Sequence, residues 1–304
     1  MPLRPYLQEP EWTWLLLVEM SVAAIAAGAY FAYGSMELGG HREDRRVTHY
    51  LGFVPLPLML VVAVLLIVDL GQPARFPNLL FTAPAAVPER GGPLMFNLAS
   101  PLSFGTYIIL IFGFFTLVAF IDSLMHAGRL PTQNWYEAVA HHKVLQGVGG
   151  LLALLTGSYS GVLVNVTQQT VWTDTILHGA VYASMAAFGG VGVAAIIANA
   201  RGASAGTFRA LRDALRWITA INAVLIVALL VNLNVYAQPL VLSLRVGPVF
   251  WIGVVALGLA APAWLLLRGA LTPSRVALVG WLALVAVFSL RYSVLFSAIA
   301  ALHG

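Results

Sequence analysis

The sequence predicts an all-α membrane protein with eight transmembrane helices, and three observations support this fold class. Hydrophobic residues make up 60% of the 304 residues. Only 9% are charged, whereas a water-soluble domain typically has about 25%. The apolar residues also fall into eight runs of roughly 20 residues, the length that crosses a hydrocarbon core of about 30 Å. We therefore interpret residues 1–304 as a single integral membrane domain.

The eight predicted spans are joined by short connections and one long loop. They cover about residues 12–33, 51–70, 102–123, 142–166, 174–199, 213–233, 247–268 and 275–298. The first run is longer than the apolar core of a signal peptide and is interrupted by Glu19, so we expect a retained helix. Pairs of small residues spaced four apart predict close helix packing at Ala23–Ala27, Gly157–Gly161 and Ala186–Gly190.

The basic residues predict the topology. Eight spans put both termini on one side of the membrane, and the other side receives most of the 16 Lys and Arg residues. The residues on that other side are Arg42, Arg45, Arg46, Arg129, Lys143, Arg201, Arg209, Arg212, Arg216, Arg268 and Arg275. The positive-inside rule then places both termini outside and the basic loops in the cytoplasm. We expect a multi-pass protein of the inner (cytoplasmic) membrane, with basic residues too scattered to bind nucleic acid.

Residues 71–101 form a long loop that this topology places outside. The loop is rich in Pro and Gly and carries Phe76, Leu79, Leu80 and Phe81. A loop of this length is usually functional or disordered. Its apolar residues predict packing against something, such as a partner subunit.

Polar residues on several spans fall at one predicted depth, near the terminal side. They are Glu19, Asp69, Tyr159, His178, Asn232, Asn234 and Arg291. Singly, each has a structural explanation, such as an interfacial aromatic for Tyr159 or snorkelling for Arg291. Their convergence from six helices favours a functional site, because ionisable groups inside a membrane are costly.

A second polar group falls on the cytoplasmic side and consists of Asp122, His126, His141, His142 and Lys143. Asp122 and His126 share a helix face, so they are predicted to pair. The group is compatible with a hydrated helix start or with a proton pathway.

The sequence also limits the chemistry. It contains no cysteine, which excludes iron–sulfur clusters and thiolate metal sites within this chain. Only His178 is clearly intramembrane, so a haem site is not expected, and we predict no metal site. A redox role would then require an organic cofactor and electrons from another protein. A quinone fits, since its head group needs hydrogen-bonding and proton-exchanging side chains and its tail needs an apolar groove.

Five short segments resemble motifs of one known family. They are Ala-Ala-Gly-Ala-Tyr at 26–30, Asp-Leu-Gly-Gln-Pro-Ala-Arg-Phe at 69–76, Ser-Pro-Leu-Ser-Phe-Gly at 100–105, Tyr-Ser-Gly-Val-Leu at 159–163 and Leu-Arg-Tyr at 290–292. The second is the most specific, with Gln72 in place of the family's arginine. On these residues, the chain from about 12 to 296 resembles the NrfD family, the membrane subunit of polysulfide reductase and its relatives.

The resemblance implies a membrane subunit of a respiratory oxidoreductase that binds menaquinone or ubiquinone and carries no haem. It implies a ferredoxin-like iron–sulfur partner and a molybdenum or tungsten pterin catalytic subunit, besides membrane lipid. By position, Tyr159 and Glu19 correspond to the quinone site, although Glu19 replaces the family's Asn and His there. His178 also departs from the pattern, standing where many relatives have a small polar residue.

We therefore predict a quinone-reactive subunit that is not catalytic alone. Glu19 and His178 are predicted to manage protons and Tyr159 to hold the quinone head. Asp69, Arg75 and Arg291 complete the predicted cofactor-binding set. Two alternatives stay open: a secondary transporter with its substrate site at the polar cluster, and a purely structural anchor.

Overall fold

The computed structural model describes residues 14–39, 44–82, 95–96, 101–167, 169, 171–268 and 272–303. Within them, eight helical segments are long and apolar enough to cross a membrane, which confirms the predicted fold class. They are Trp14–Gly39, Arg45–Asp69, Ser103–His126, Lys143–Asn165, His178–Arg201, Ala205–Val241, Val249–Leu267 and Pro273–Ala301.

The individual helices divide these spans further. They are α1 (Trp14–Gly39), α2 (Arg45–Gly52), α3 (Pro55–Asp69), α4 (Pro101–His126), α5 (Asn134–Ala140), α6 (Lys143–Asn165), α7 (His178–Arg201), α8 (Ala205–Leu233), α9 (Gln238–Val241), α10 (Ala261–Leu267) and α11 (Pro273–His303). Short 3₁₀ helices cover Pro73–Leu79 and Asn234–Ala237, and a π-helix covers Val249–Ala260.

The second span begins earlier than predicted, because the end of the expected loop is helical. In α2, Val47 and Leu51 are buried while Arg45 and Arg46 are exposed, so this amphipathic turn packs on the bundle without entering its apolar interior. The helix then breaks and resumes at Pro55, a residue suited to the first helical position because it has no N–H.

The long loop is partly structured. After the 3₁₀ helix, strand β1 (Phe81–Thr82) pairs antiparallel with β2 (Met95–Phe96), with Phe81 opposite Phe96. Residues 83–94 and 97–100 lie outside the described part.

The core of the bundle is formed by α1, α7 and α11, the most buried spans. Glycines let α1 and α7 touch: a Cβ on Gly28 would lie 1.8 Å from the carbonyl oxygen of Ala186. A Cβ on Gly157 of α6 would lie 2.8 Å from the Cβ of Ala186. Two of the predicted small-residue pairs therefore meet at one crossing of three helices.

The bundle has two distinct ends, defined here by side-chain contacts. At the basic end, Arg201 stacks over the ring of Tyr50, with the guanidinium carbon 3.7 Å from the ring centroid. At the opposite end, called the cavity end, Asp69 and Tyr159 line one cavity together with Glu19.

Candidate functional site

An internal cavity of about 430 Å³ lies at the cavity end, between α1, α3, α4 and α6. Its lining residues are Leu16, Glu19, Met20, Ala23, Ala63, Leu66, Ile67, Asp69, Leu70, Phe76, Thr106, Ile109, Leu110, Thr156, Tyr159, Ser160 and Leu163. On α1, positions 16, 19, 20 and 23 recur at helical spacing, and positions 156, 159, 160 and 163 do the same on α6. The walls are largely apolar, and each of the four helices adds at least one polar side chain to them.

Three predicted site residues line this cavity together: Glu19, Asp69 and Tyr159. Glu19 is almost completely buried, with 7% of the residue exposed. Asp69 is exposed at the end of α3, and the half-exposed Phe76 lies beside it on the rim. The cavity therefore runs from an aqueous rim at Asp69 to a buried carboxyl group at Glu19.

The lipid side of the cavity is bordered by Leu110 on α4, which is 54% exposed. Because Leu110 lies at the surface of a candidate membrane span, the cavity opens there beside apolar surface. The cavity thus combines an apolar entrance with a polar head region.

Arg291 lies behind the Glu19 wall and does not line the cavity. It is fully buried, donates from Nε to the Met20 carbonyl oxygen (3.0 Å) and from Nη1 to that of Val287 (3.3 Å), and stacks on Tyr182. Its positive charge acts electrostatically on the Glu19 carboxyl. The interaction acts at a distance, because the hydrogen bonds given for Arg291 go to the backbone of Met20 and Val287.

Tyr159 is positioned by a glycine of the facing helix. A Cβ on Gly105 would lie 1.9 Å from ring atoms of Tyr159, so only glycine leaves room for this ring against α4. Gly105 is the last residue of the Ser-Pro-Leu-Ser-Phe-Gly segment that resembled a family motif. The sequence did not show that this glycine packs against Tyr159. Glu19 acts electrostatically on the Tyr159 phenol, which places the two groups in one site.

His178 is fully buried and does not line the cavity. Its Nε2 lies 3.0 Å from the carbonyl oxygen of Val171, and its ring centroid lies 6.3 Å from that of Tyr182. Tyr182 in turn contacts Arg291. His178 is therefore a neighbour of Tyr182 and not of the residues that line the cavity.

The remaining members of the predicted cluster lie apart. Asn232 and Asn234 are exposed and do not contribute to the cavity. The backbone of Arg75 is part of the 3₁₀ helix, but its side chain lies outside the described part. The sequence did not single out Thr106, Thr156 and Ser160, which add hydroxyl groups to the lining.

The basic end holds a second group of titratable residues around Asp122, here called the Asp122 cluster. Asp122 is fully buried and lies 3.5 Å from Nδ1 of His126, as its spacing predicted. Nδ1 of His49 lies 3.8 Å from Asp122, and Nε2 of His141 lies 3.3 Å from it. Tyr33 donates a hydrogen bond to Asp122 at 3.4 Å. His142, also predicted here, is exposed.

Ligand atoms of His49, Asp122 and His126 lie within 4.8 Å of one another, a spacing that a metal ion can bridge. However, Nδ1 of His126 already lies 3.0 Å from the backbone oxygen of Asp122. The rings of His49 and His126 stack face to face, 3.7 Å between centroids. We therefore describe the cluster as closely spaced titratable side chains that meet at the buried Asp122.

Of the cluster members that lie outside the membrane spans, His141 has a clearly perturbed titration. Its interaction with Asp122, and then its 2.7 Å contact with Glu37, raise the pKa of His141 from 6.5 to about 10. Since the folded-state pKa is the higher one, the protonated imidazolium stabilises the protein fully below pH 6.5. This stabilisation is lost progressively as the pH rises towards 10.

We expect the substitution His141→Gln to lower the thermal unfolding temperature most near pH 6. The difference from the unsubstituted protein should shrink towards zero at about pH 10. Thermal unfolding of both proteins in detergent micelles at several pH values measures the difference. A difference that stays constant between pH 6 and pH 10 would contradict the assignment.

Together, these features define a class of protein: a polytopic helical bundle with a largely apolar cavity lined by a buried carboxyl group and a tyrosine. Residues 7–303 match the family model described as polysulphide reductase, NrfD, and the chain belongs to that family. No curated protein matches the sequence. Membership confirms the resemblance inferred from the five motifs and is consistent with a membrane subunit of an oxidoreductase complex.

Proposed function

We propose that this chain is the quinone-binding membrane subunit of a respiratory oxidoreductase and exchanges electrons with an iron–sulfur partner. The observation that carries the proposal is the cavity itself, where Glu19 and Tyr159 meet at the end of an apolar space between four helices. Menaquinone and ubiquinone share the features this space suits: a carbonyl-bearing ring and a long apolar tail. A quinone supplies two-electron chemistry coupled to the uptake or release of two protons.

The residues of the cavity fit such a molecule. The Tyr159 hydroxyl is a donor suited to a ring carbonyl, and the Glu19 carboxyl is suited to exchanging a proton beside it. The side chains of Leu66, Ile109 and Leu110 give the tail an apolar wall. Burial of the head region excludes bulk water, which strengthens hydrogen bonding there.

Protons need a route between Glu19 and water. Asp69 lies on the same cavity and is exposed, so it connects the buried carboxyl with the rim. Arg291 is buried next to the cavity wall that carries Glu19 and stacks on Tyr182. His178 lies on the other side of this contact, beside the Tyr182 ring. We propose Glu19 as the residue that exchanges protons with the quinone and His178 as a positioning residue. Asp69 and Arg75 are proposed to order the loop beneath the partner subunit.

The proposed partners are a ferredoxin-like iron–sulfur subunit and a molybdenum or tungsten pterin subunit. Because the chain has no cysteine, the clusters that carry electrons must belong to the partner. The cavity end is the proposed docking side, since a short distance between cluster and quinone favours electron transfer.

The proposal is tested by the quinone content of the complex after gentle purification. We expect the protein to retain quinone and Tyr159→Phe to retain several-fold less, because one hydrogen bond to the head group contributes about 1 kcal/mol. The matched control is Tyr50→Phe, which removes a hydroxyl at the basic end and preserves the ring under Arg201. Equal quinone content in all three proteins, or none in any, would contradict the proposal.

Gly105→Ala gives an independent route to the same outcome. The new methyl group would overlap the ring of Tyr159, so the ring must leave its place while its hydroxyl stays intact. We expect the quinone content to fall as it does in Tyr159→Phe. Extraction and chromatography of bound quinone measure both variants in parallel.

A transporter is the less favoured function for this site. Transporter substrate sites are typically formed by broken helices near the membrane midplane. Here the break between α2 and α3 falls at residues 53–54, and neither it nor the π-helix contributes a residue to the cavity. The residues that line the cavity come from unbroken stretches of four helices and from Leu70 and Phe76.

A further inference from the structure

A second cavity, of about 740 Å³, forms a groove on the lipid-facing side of the bundle. One wall is α8, and the other is the π-helix followed by α10. Alanines line much of it, with Ala220 and Ala223 on α8 and Ala260 and Ala263 opposite. Because these side chains are short, the helices leave a deep apolar channel between them. It shares no residue with the Glu19 cavity.

The groove has a basic mouth. Arg212 and Arg216, one helical turn apart on α8, line it at the basic end. Asp213 pairs with both, 3.0 Å from Arg212 and 3.7 Å from Arg216, so the three side chains keep a net charge of +1. All three remain partly exposed, so the arginines keep free donor capacity.

Two further features mark this mouth as a membrane–water boundary. Trp217 lines it and is 73% exposed, as is typical of tryptophans at the headgroup level. Leu267 lines the opposite wall, and Arg268 follows it in the chain. The Nη1 atom of Arg275 donates to the carbonyl oxygen of Arg268 at 3.4 Å. Arginines from three helices therefore surround the headgroup level, and the channel below it is apolar.

We propose that this groove binds an anionic phospholipid, with its phosphate at Arg212 and Arg216 and one acyl chain along the alanine-lined channel. Guanidinium groups form paired, charge-assisted hydrogen bonds with phosphate oxygens. Basic pockets between transmembrane helices at the cytoplasmic side recognise anionic headgroups in the same way. A zwitterionic lipid has the same acyl chains, but its cationic headgroup is repelled by the two arginines. The groove therefore selects for a headgroup with net negative charge.

The test is lipid titration of the full chain, delipidated in detergent, with phosphatidylglycerol or phosphatidylcholine and detection by native mass spectrometry. We expect phosphatidylglycerol to bind at least about tenfold more tightly. The double variant Arg212→Gln/Arg216→Gln should lose that preference, about a 10- to 30-fold loss of affinity. Arg45→Gln/Arg46→Gln is the matched control, since it removes two exposed arginines at the same end and should keep the preference.

A second variant distinguishes the contribution of the acyl chain to binding from that of the headgroup. Ala223→Phe fills the channel and leaves both arginines in place, so it should weaken both lipids. Equal affinity of the unsubstituted protein for the two lipids would overturn the proposal. So would a dimer that Ala223→Phe dissociates with no change in lipid binding, because the groove would then be an interface between copies of this chain.

Discussion

Glu19→Gln is expected to reduce quinol turnover of the intact complex by about 100-fold or more, the range typical for loss of a positioned acid or base. Glutamine preserves the size and hydrogen-bonding capacity of the side chain but cannot exchange a proton. Because Glu19 lies at the buried end of the cavity, water cannot readily replace it. Steady-state turnover with a soluble quinol analogue measures the effect, together with bound quinone.

The variant also changes electrostatics, and this must be separated from proton exchange. Glu19→Gln also removes a carboxyl group that interacts electrostatically with the buried Arg291, so the unfolding temperature must be measured beside turnover. Glu19→Asp keeps the titratable carboxyl group while withdrawing it by one methylene. We expect Glu19→Asp to retain stability and a measurable part of the turnover. If Glu19→Gln retained turnover within threefold, the assignment of Glu19 would be wrong.

A further control tests whether the loss of any carboxylate lowers turnover. Glu137→Gln removes a carboxylate from α5 at the basic end, away from the cavity. Its turnover should equal that of the unsubstituted complex. A loss there comparable with that of Glu19→Gln would point to assembly of the complex rather than to chemistry in the cavity.

Much of the site could be predicted because membrane spans translate sequence position into depth. Glu19, Asp69 and Tyr159 were placed at one level from span direction alone, and they line one cavity. Depth does not specify which way a residue faces around its helix. Arg291 and His178 share that level but do not line the cavity: Arg291 donates to Met20 of α1, and His178 lies against the carbonyl oxygen of Val171.

The number and order of the spans were also predictable, because a run of about 20 apolar residues is a strong signal. The detailed backbone conformation within the spans was less predictable. The 12-residue π-helix Val249–Ala260 lies in a sequence as apolar as its neighbours, and nothing in its residue types distinguishes the wider hydrogen-bond pattern. The Asp122 cluster was only partly foreseen, since His49 falls in a segment that was expected to be a loop and is helical.

Gly28→Ala is expected to have the largest effect on stability, with an unfolding free energy lower by about 3 kcal/mol or more, at the upper end of the range for overpacking a core. The added Cβ would lie 1.8 Å from the carbonyl oxygen of Ala186. That oxygen belongs to the backbone of α7, so a rotamer change cannot relieve the overlap and the two helices must separate. Thermal unfolding in detergent and the yield of folded protein measure the loss.

Glycine substitution in a helix is not harmful in itself, which gives a clean control. Gly113→Ala on α4 and Gly147→Ala on α6 would place their Cβ atoms where nothing lies within 4 Å. Since alanine favours helices by about 1 kcal/mol over glycine, these variants should be neutral or slightly stabilised. A comparable loss in all three variants would show that the contact at Gly28 is not the cause.

A double substitution distinguishes backbone contacts from side-chain contacts at the same crossing. The Cβ of Gly157→Ala would lie 2.8 Å from the Cβ of Ala186, so removing that methyl group with Ala186→Gly should rescue it. Ala186→Gly should not rescue Gly28→Ala, because the obstructing atom is a carbonyl oxygen that every residue carries. The same helix α1 carries Glu19 more than two turns from Gly28. A separation of α1 from α7 should therefore also lower the quinone content, linking the packing of the bundle to the geometry of the cavity.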